Sequence, residues 1–275
     1  MRVNLLNFLL NCVGLALWLS WRPAGLEPVR SPMSHQRPRS AALHWLFLVA
    51  VVLLVLGRSW LYWWVGRDVG WVARLDLGAA RLDFNSAVWG RMLAFSTASF
   101  GLFLGGFFMW LLLLATVNRS NSPPHPWTRV VAAQLGWLAR LPRPLGLFLP
   151  AVVLGGLWAA LHPAMREAGL VAPLHTPSQL WQEAAVVGLG AALVWEYLVV
   201  GVIFAHVLNS YLYLGSHGAF TYLSLTAQNL LQPLARLPLR LGRVDFTPVL
   251  GIALALAAFA LVRAGLTRLF DRLPL

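Results

Sequence analysis

Residues 184–208 read AAVVGLGAALVWEYLVVGVIFAHVL. The stretch carries one acid, Glu196, and one histidine, His206. A helix needs about 20 apolar residues to cross the roughly 30 Å hydrocarbon core of a bilayer. This run is long enough, and it sets the class of the chain: a membrane-spanning helix.

Further apolar runs surround it. They cover residues 3–21, 41–65, 92–117, 145–161 and 248–266. The run 145–161 is short and suits a shallow or tilted element. The prediction is an all-α, multi-pass transmembrane protein of five or six spans. Composition agrees. Of 275 residues, 59% are hydrophobic and 11% charged, where a soluble domain carries about a quarter charged residues. Mean hydropathy is +0.69. A soluble globular enzyme and a disordered chain are both excluded.

The net charge is +12, and all 21 basic residues are arginine. A codon bias of a G- and C-rich genome accounts for that choice. Arginine also makes forked contacts to lipid phosphates. The arginines lie between apolar runs rather than along one stripe, so they flank membrane spans and do not mark a nucleic-acid surface. The lone Cys12 excludes an intrachain disulfide and a cysteine-based metal site.

At the N-terminus, residues 3–21 continue through Leu17, Trp18 and Trp21 without a small-residue cleavage site, which favours a retained span over a signal peptide. Asn4, Asn7 and Asn11 share one face of that helix and should meet another helix. Residues 22–40 form an Arg- and Pro-bearing linker. The second span ends in Trp60, Tyr62, Trp63 and Trp64, an aromatic cluster of the kind found at headgroup level. Residues 66–84 alternate Arg and Asp and read as a surface segment.

The second half of the chain echoes the first. Trp89 aligns with Trp181, Asn118 with Asn209, His125 with His217 and Gly146 with Gly242. Arg140-Leu141-Pro142 aligns with Arg236-Leu237-Pro238, and Pro150 with Pro248. This divides the chain into an N-terminal segment, 1–84, a first repeat, 85–166, and a second, 167–275. Each repeat reads as a long span, a short amphipathic helix and a second span, so the repeats run parallel. The long helices start near Asn85 or Ser86 and at Thr176-Pro177, a cap and first-turn pair. Gly101, Gly105 and Gly188 are bend or close-packing points. Residues 127–138 and 220–234 keep helical apolar spacing. Those short helices lie either in the interface plane or against the spans.

Leu225-Thr226, Leu230-Leu231-Gln232-Pro233-Leu234, Leu237-Pro238 and Gly242-Arg243-Val244-Asp245-Phe246-Thr247-Pro248 together resemble the signature of the YggT (YlmG) family. The resemblance covers about residues 85–266. The second repeat matches well. In the first, Leu149-Pro150 replaces the Asp-Phe-Thr-Pro element, and residues 1–84 lie outside the pattern. Ser216-His217-Gly218 stands where the family has Asn-Pro. The resemblance implies a divergent, long family member in a bacterial plasma membrane or a chloroplast membrane. Its implied role is membrane organisation or assembly, without a defined biochemical activity.

Several residues are candidates for a role. Thr247 can cap a helix starting at Pro248, with Asp245 adding negative charge near its N-terminus. Arg236, Arg240 and Arg243 can pair with Asp245 or reach anionic lipid headgroups. Glu196 is the acid deep in a span, where an ionisable residue suggests function. It either bonds a partner helix or serves a small transporter or channel component. His206 stands ten residues on, about 80° round the helix, with Leu198–Ala205 offering nothing polar between. Asn118 and Asn209 close the two long runs. His44 and His206 as paired haem ligands is the lesser reading beside hydrogen bonds to neighbouring helices. Sequence motifs for an enzyme, a metal site or a cofactor are absent, so the expected partners are the bilayer, other membrane proteins or a second copy, and not nucleic acid. The loops 118–146 and 209–246 hold four and three arginines, which puts them in the cytoplasm. Six spans divide the arginines 11 inside to 10 outside, close to even.

Overall fold

The computed structural model describes residues 2–21, 41–119, 125–212, 218–236, 240–241 and 244–274. Its elements are helical apart from two small hairpins. The helices are α1 (Arg2–Trp21), α2 (Ala41–Val69), α3 (Trp89–Val117), α4 (Pro126–Leu135), α5 (Arg143–Glu167), α6 (Pro177–Gly190), α7 (Trp195–Leu212), α8 (Gly218–Leu231) and α9 (Thr247–Phe270). Strands β1 (Val72–Asp76) and β2 (Arg81–Asn85) pair antiparallel, as do β3 (Arg240–Leu241) and β4 (Val244–Asp245). Among the described residues, five stretches are long and apolar enough to cross a bilayer: Trp45–Val69, Trp89–Val117, Arg143–Glu167, Pro177–Ser210 and Thr247–Phe270. The chain is a multi-pass, all-α membrane protein.

One compact unit comprises residues 1–76, 81–107 and 167–171. In it α1 and α2 run antiparallel, since Gly14 of α1 lies against Leu54 of α2 and Asn11 reaches Arg58. Exposed tryptophans mark the ends of α2: Trp45 near its start, and Trp60 and Trp64, ring-stacked, towards its end. Trp45 and Trp64 are 19 positions apart, about 28 Å at ~1.5 Å per residue, which matches the hydrocarbon thickness. The segment after α2 is more ordered than a bare surface loop. Alternation of Ala73, Leu75, Leu82 and Phe84 on one side with Arg74, Asp76, Arg81 and Asp83 on the other builds a hairpin with a buried and a charged face. Arg74–Asp83 and Arg81–Asp76 face each other across its strands at 3.5 and 3.9 Å. The periodicity of two was present in the sequence, interleaved with charges that disguised it.

The second unit comprises residues 77–80, 108–166 and 172–275. Its order is the end of α3, α4, a 3-10 turn (Gly136–Arg140) and α5, then α6 and α7, α8, a 3-10 turn (Leu234–Arg236) and α9. Gly136, with φ +60°, ends α4, a conformation a β-carbon would strain. α6 and α7 are one continuous stretch interrupted by a 3-10 turn (Ala191–Val194). The carbonyl of Val194 there accepts from Trp110 Nε1 at 2.8 Å, and Trp195 Nε1 donates back to the Met109 carbonyl at 3.1 Å. Residues 77–80 of this unit pack on the same turn. Gly78, at φ +88°, lies so close to Gly190 that a β-carbon would stand 2.9 Å from its carbonyl oxygen.

Small residues let α5 and α6 touch through their backbones. Ala151 and Gly155 on α5 face Gly188 and Ala184 on α6, each pair four residues apart. A β-carbon on Gly155 would stand 2.5 Å from the Ala184 carbonyl oxygen, and one on Gly188 would meet the Ala151 carbonyl. This is the small-residue packing that joins helices in lipid, where burial of apolar surface supplies no drive. Of the three glycines expected at bends or contacts, Gly188 is a contact. Gly101 and Gly105 have open space beside them.

Candidate functional site

Asn118 directly follows α3 and is buried, 1% exposed. Its side-chain amide donates to Tyr222 Oη at 3.2 Å and Thr226 Oγ1 at 2.9 Å, both on α8, and to the Leu114 carbonyl at 3.0 Å. Asn229 Nδ2 donates to Asn118 Oδ1 at 3.0 Å. Burial pushes the Tyr222 phenol above its ordinary pKa, with the bond from Asn118 opposing, so the hydroxyl stays a neutral acceptor. Asn209 of α7 meets the same helix more loosely, donating to Ser224 Oγ at 3.5 Å. The two aligned asparagines therefore converge on α8. That helix packs as a core element, burying Tyr222, Thr226, Ala227 and Leu231.

α4 is the more superficial short helix. Its cap is His125, whose Nδ1 accepts from the Trp127 N–H at 3.3 Å, ahead of Pro126 in the first turn. Val131 and Leu135 are buried. Trp127 and Arg129 of α4 and Trp137 and Arg140 of the turn after it are exposed, Trp137 by 70%. Apolar rings and arginines on one short amphipathic element match the composition of an interfacial helix.

Glu196 opens α7. It accepts from Arg263 of α9 at 2.5 Å, with its own side chain 15% exposed and that of Arg263 48% exposed. Its partner is thus a cation on another helix. His206 is half-buried ten residues on, in the same helix. At the start of α9 the structure departs from the expected cap. Thr247 is the first helical residue, and Phe246 holds the cap position without a side-chain cap bond. Pro248 then falls in the first turn, where its missing N–H costs nothing. Arg240 and Asp245 are backbone partners across β3 and β4. Arg236 is exposed at the end of its 3-10 turn. Arg243 lies outside the described residues.

Two polar clusters escaped the sequence reading. Arg58, 3% exposed, is buried inside α2. Its guanidinium donates to Ser96 Oγ at 2.9 Å, to the Ser96 carbonyl, and to Asn7 and Asn11 Oδ1. Both asparagines also donate to Ser99 Oγ, at 3.0 and 3.2 Å, and Tyr62 Oη donates to Asn7. The asparagine face of α1 thus meets α2 and α3. No acid contacts Arg58 among the described residues. Its position inside the run 41–65 was the available signal. The second cluster is Glu183 with Trp158, His162 and Gln179, on α5 and α6. The spacing of four within Trp158/His162 and Gln179/Glu183 marked it, but the acid lies one residue outside the apolar run.

No family model, curated protein or solved structure matches the chain.

Proposed function

We propose that this protein is a non-enzymatic membrane-organising or assembly factor of the bacterial plasma membrane, acting through lipid or membrane-protein contacts. The observation that carries this reading is the exposed face of α4 and its following turn, with Trp127, Arg129, Trp137 and Arg140 beside the end of a membrane helix. Tryptophan seats at headgroup level and arginine forks onto phosphate. Kinship with the YggT family belongs to the same proposal. Support comes from the order span, short helix, 3-10 turn, span, which occurs from α3 to α5 and again from α7 to α9. The bond between Glu196 and Arg263 favours a structural role for that acid over an ion path.

Crosslinking in native membranes followed by co-purification tests the proposal. Anionic lipid or a reproducible membrane partner should accompany the parent protein and be depleted in a Trp137→Ser, Arg129→Gln, Arg140→Gln variant. Equal recovery from both, at equal protein level, refutes the role of that face. Survival of ion uptake in proteoliposomes after Glu196→Gln removes the basis for transport through that residue.

A further inference from the structure

The α5–α6 seam holds a buried titratable pair. His162 Nε2 lies 3.7 Å from Glu183 Oε2, with side chains 3% and 12% exposed. That separation is too long for a hydrogen bond, and Nε2 has no hydrogen-bond partner among the described residues. The other groups on the carboxylate are neutral donors: Trp158 Nε1–H to Oε2 at 3.2 Å and Gln179 Nε2–H to Oε1 at 2.9 Å. Glu196 has a permanent cation in Arg263, but Glu183 meets none among the described residues. The charged groups of the surrounding elements lie elsewhere. Arg166 and Glu167 close α5, and His175 precedes α6. Beyond the engaged Arg263 of α9, whose Phe270 packs edge-on against Trp158, they are Arg268 on the helix and Asp271 and Arg272 just after it. All six are exposed, and no ion contact joins them to the pair.

We propose that His162 and Glu183 form a proton-binding site, the proton being held on His162 Nε2 against Glu183 Oε2. A carboxylate taken out of water needs both donors and an opposite charge. Trp158 and Gln179 supply donors only. One proton on the imidazole supplies the missing charge and a third donor, 3.7 Å from the oxygen. No other reactant is needed: the proton comes from water and the imidazole becomes imidazolium. Gln179 is one turn nearer the start of α6, and its Oε1 accepts from the His175 N–H at 2.9 Å, so a line of polar groups leads from His175 to the acid.

The test is nitrogen-15 NMR of histidine-labelled full-length protein in lipid nanodiscs, the His162 signal being identified by its loss in His162→Gln. Lowering the pH should place a proton on Nε2. In Glu183→Gln the same occupancy should need at least tenfold more protons. Trp158→Phe removes a neutral donor from the carboxylate and should shift uptake the opposite way, to lower proton concentration. Retained signals from the other histidines report that each variant is folded. Uptake within twofold of the parent in Glu183→Gln overturns the proposal, as does a His162 that stays neutral where exposed histidines titrate. Should Glu183→Gln not fold, an unmoved profile in Trp158→Phe overturns it alone.

Discussion

Replacing Arg58 and replacing its acceptor Asn11 should have unequal costs, and the smaller truncation should cost more. Asn11→Ala removes a charge-assisted hydrogen bond and leaves part of a buried guanidinium facing a void. A buried charged donor left without its partner costs about 1–3 kcal/mol in unpaid desolvation, so the expected loss is ~2 kcal/mol. Arg58→Met removes bonds to Asn7, Asn11 and the Ser96 side chain and carbonyl. Interhelical bonds in a membrane protein average about 0.6 kcal/mol, a gross loss of ~2.4 kcal/mol. Against that stands the removal of a buried, uncountered cation, whose desolvation is costly by several kcal/mol. The orphaned amides keep Ser99 as a partner. Arg58→Met should therefore fall within about 1 kcal/mol of the parent. Reversible unfolding in mixed micelles, titrated with a denaturing detergent and followed by tryptophan fluorescence, measures both. The double variant should be less destabilised than the sum of the singles. If Arg58→Met costs more than Asn11→Ala, or if the two simply add, the guanidinium is not the demanding member of the cluster and the reasoning fails.

Three further outcomes can be checked in the same assay. Gly155→Ala should destabilise by roughly 1–3 kcal/mol through contact with the Ala184 backbone, whereas Gly156→Ala, with open space beside it, should be neutral or slightly stabilising. Asn118→Ala should cost about 1–3 kcal/mol by removing its bonds to Tyr222, Thr226 and Asn229, and Asn209→Ala, with one long bond to α8, should cost less. Arg263→Met should be more damaging than Glu196→Gln, which retains an acceptor for the guanidinium, and the exchanged pair Glu196→Arg with Arg263→Glu should recover part of the loss; no recovery means the two do not interact.

Much of the fold was legible because lipid makes spans long and nearly continuous. The runs 41–65, 92–117, 184–208 and 248–266 fall within observed helices. The run 145–161 looked short because Pro142, Arg143 and Pro144 precede it and His162 and Pro163 follow. α5 nevertheless extends from Arg143 to Glu167, with Pro150 and Pro163 inside it. The hairpin between α2 and α3 was hidden because its buried residues are single alternating positions rather than a run. The candidate residues were legible by type but not by partner. Glu196 stands out as an acid in a span, yet nothing in the sequence links it to Arg263, near the end of the run 248–266 and 67 residues away. Arg58 was counted with flanking charges because the aromatic cluster after it suggested that the membrane ended nearby. The Trp45-to-Trp64 distance places it about 9 Å inside that boundary, at ~1.5 Å for each of six residues.

That depth gives the asparagines of α1 their physical reason. An arginine facing lipid this far from the interface would have to snorkel or thin the bilayer, at a cost of a few kcal/mol. Here it is satisfied by two amides on α1 and one serine on α3. Neither supplier suffices alone. Ser96 offers a hydroxyl and a carbonyl to one side of the guanidinium, and Asn7 and Asn11 meet the other terminal nitrogen. α1 has almost no sidedness of its own beyond those amides, which follow the helical repeat. Its rotation about its axis is therefore fixed by Arg58 more than by the shape of its apolar surface. The same logic runs through α8, where Asn118 fixes register through Tyr222 and Thr226, and through α7, where Glu196 selects Arg263. In a bilayer, where apolar faces are nearly interchangeable, a few polar seams decide which helix meets which.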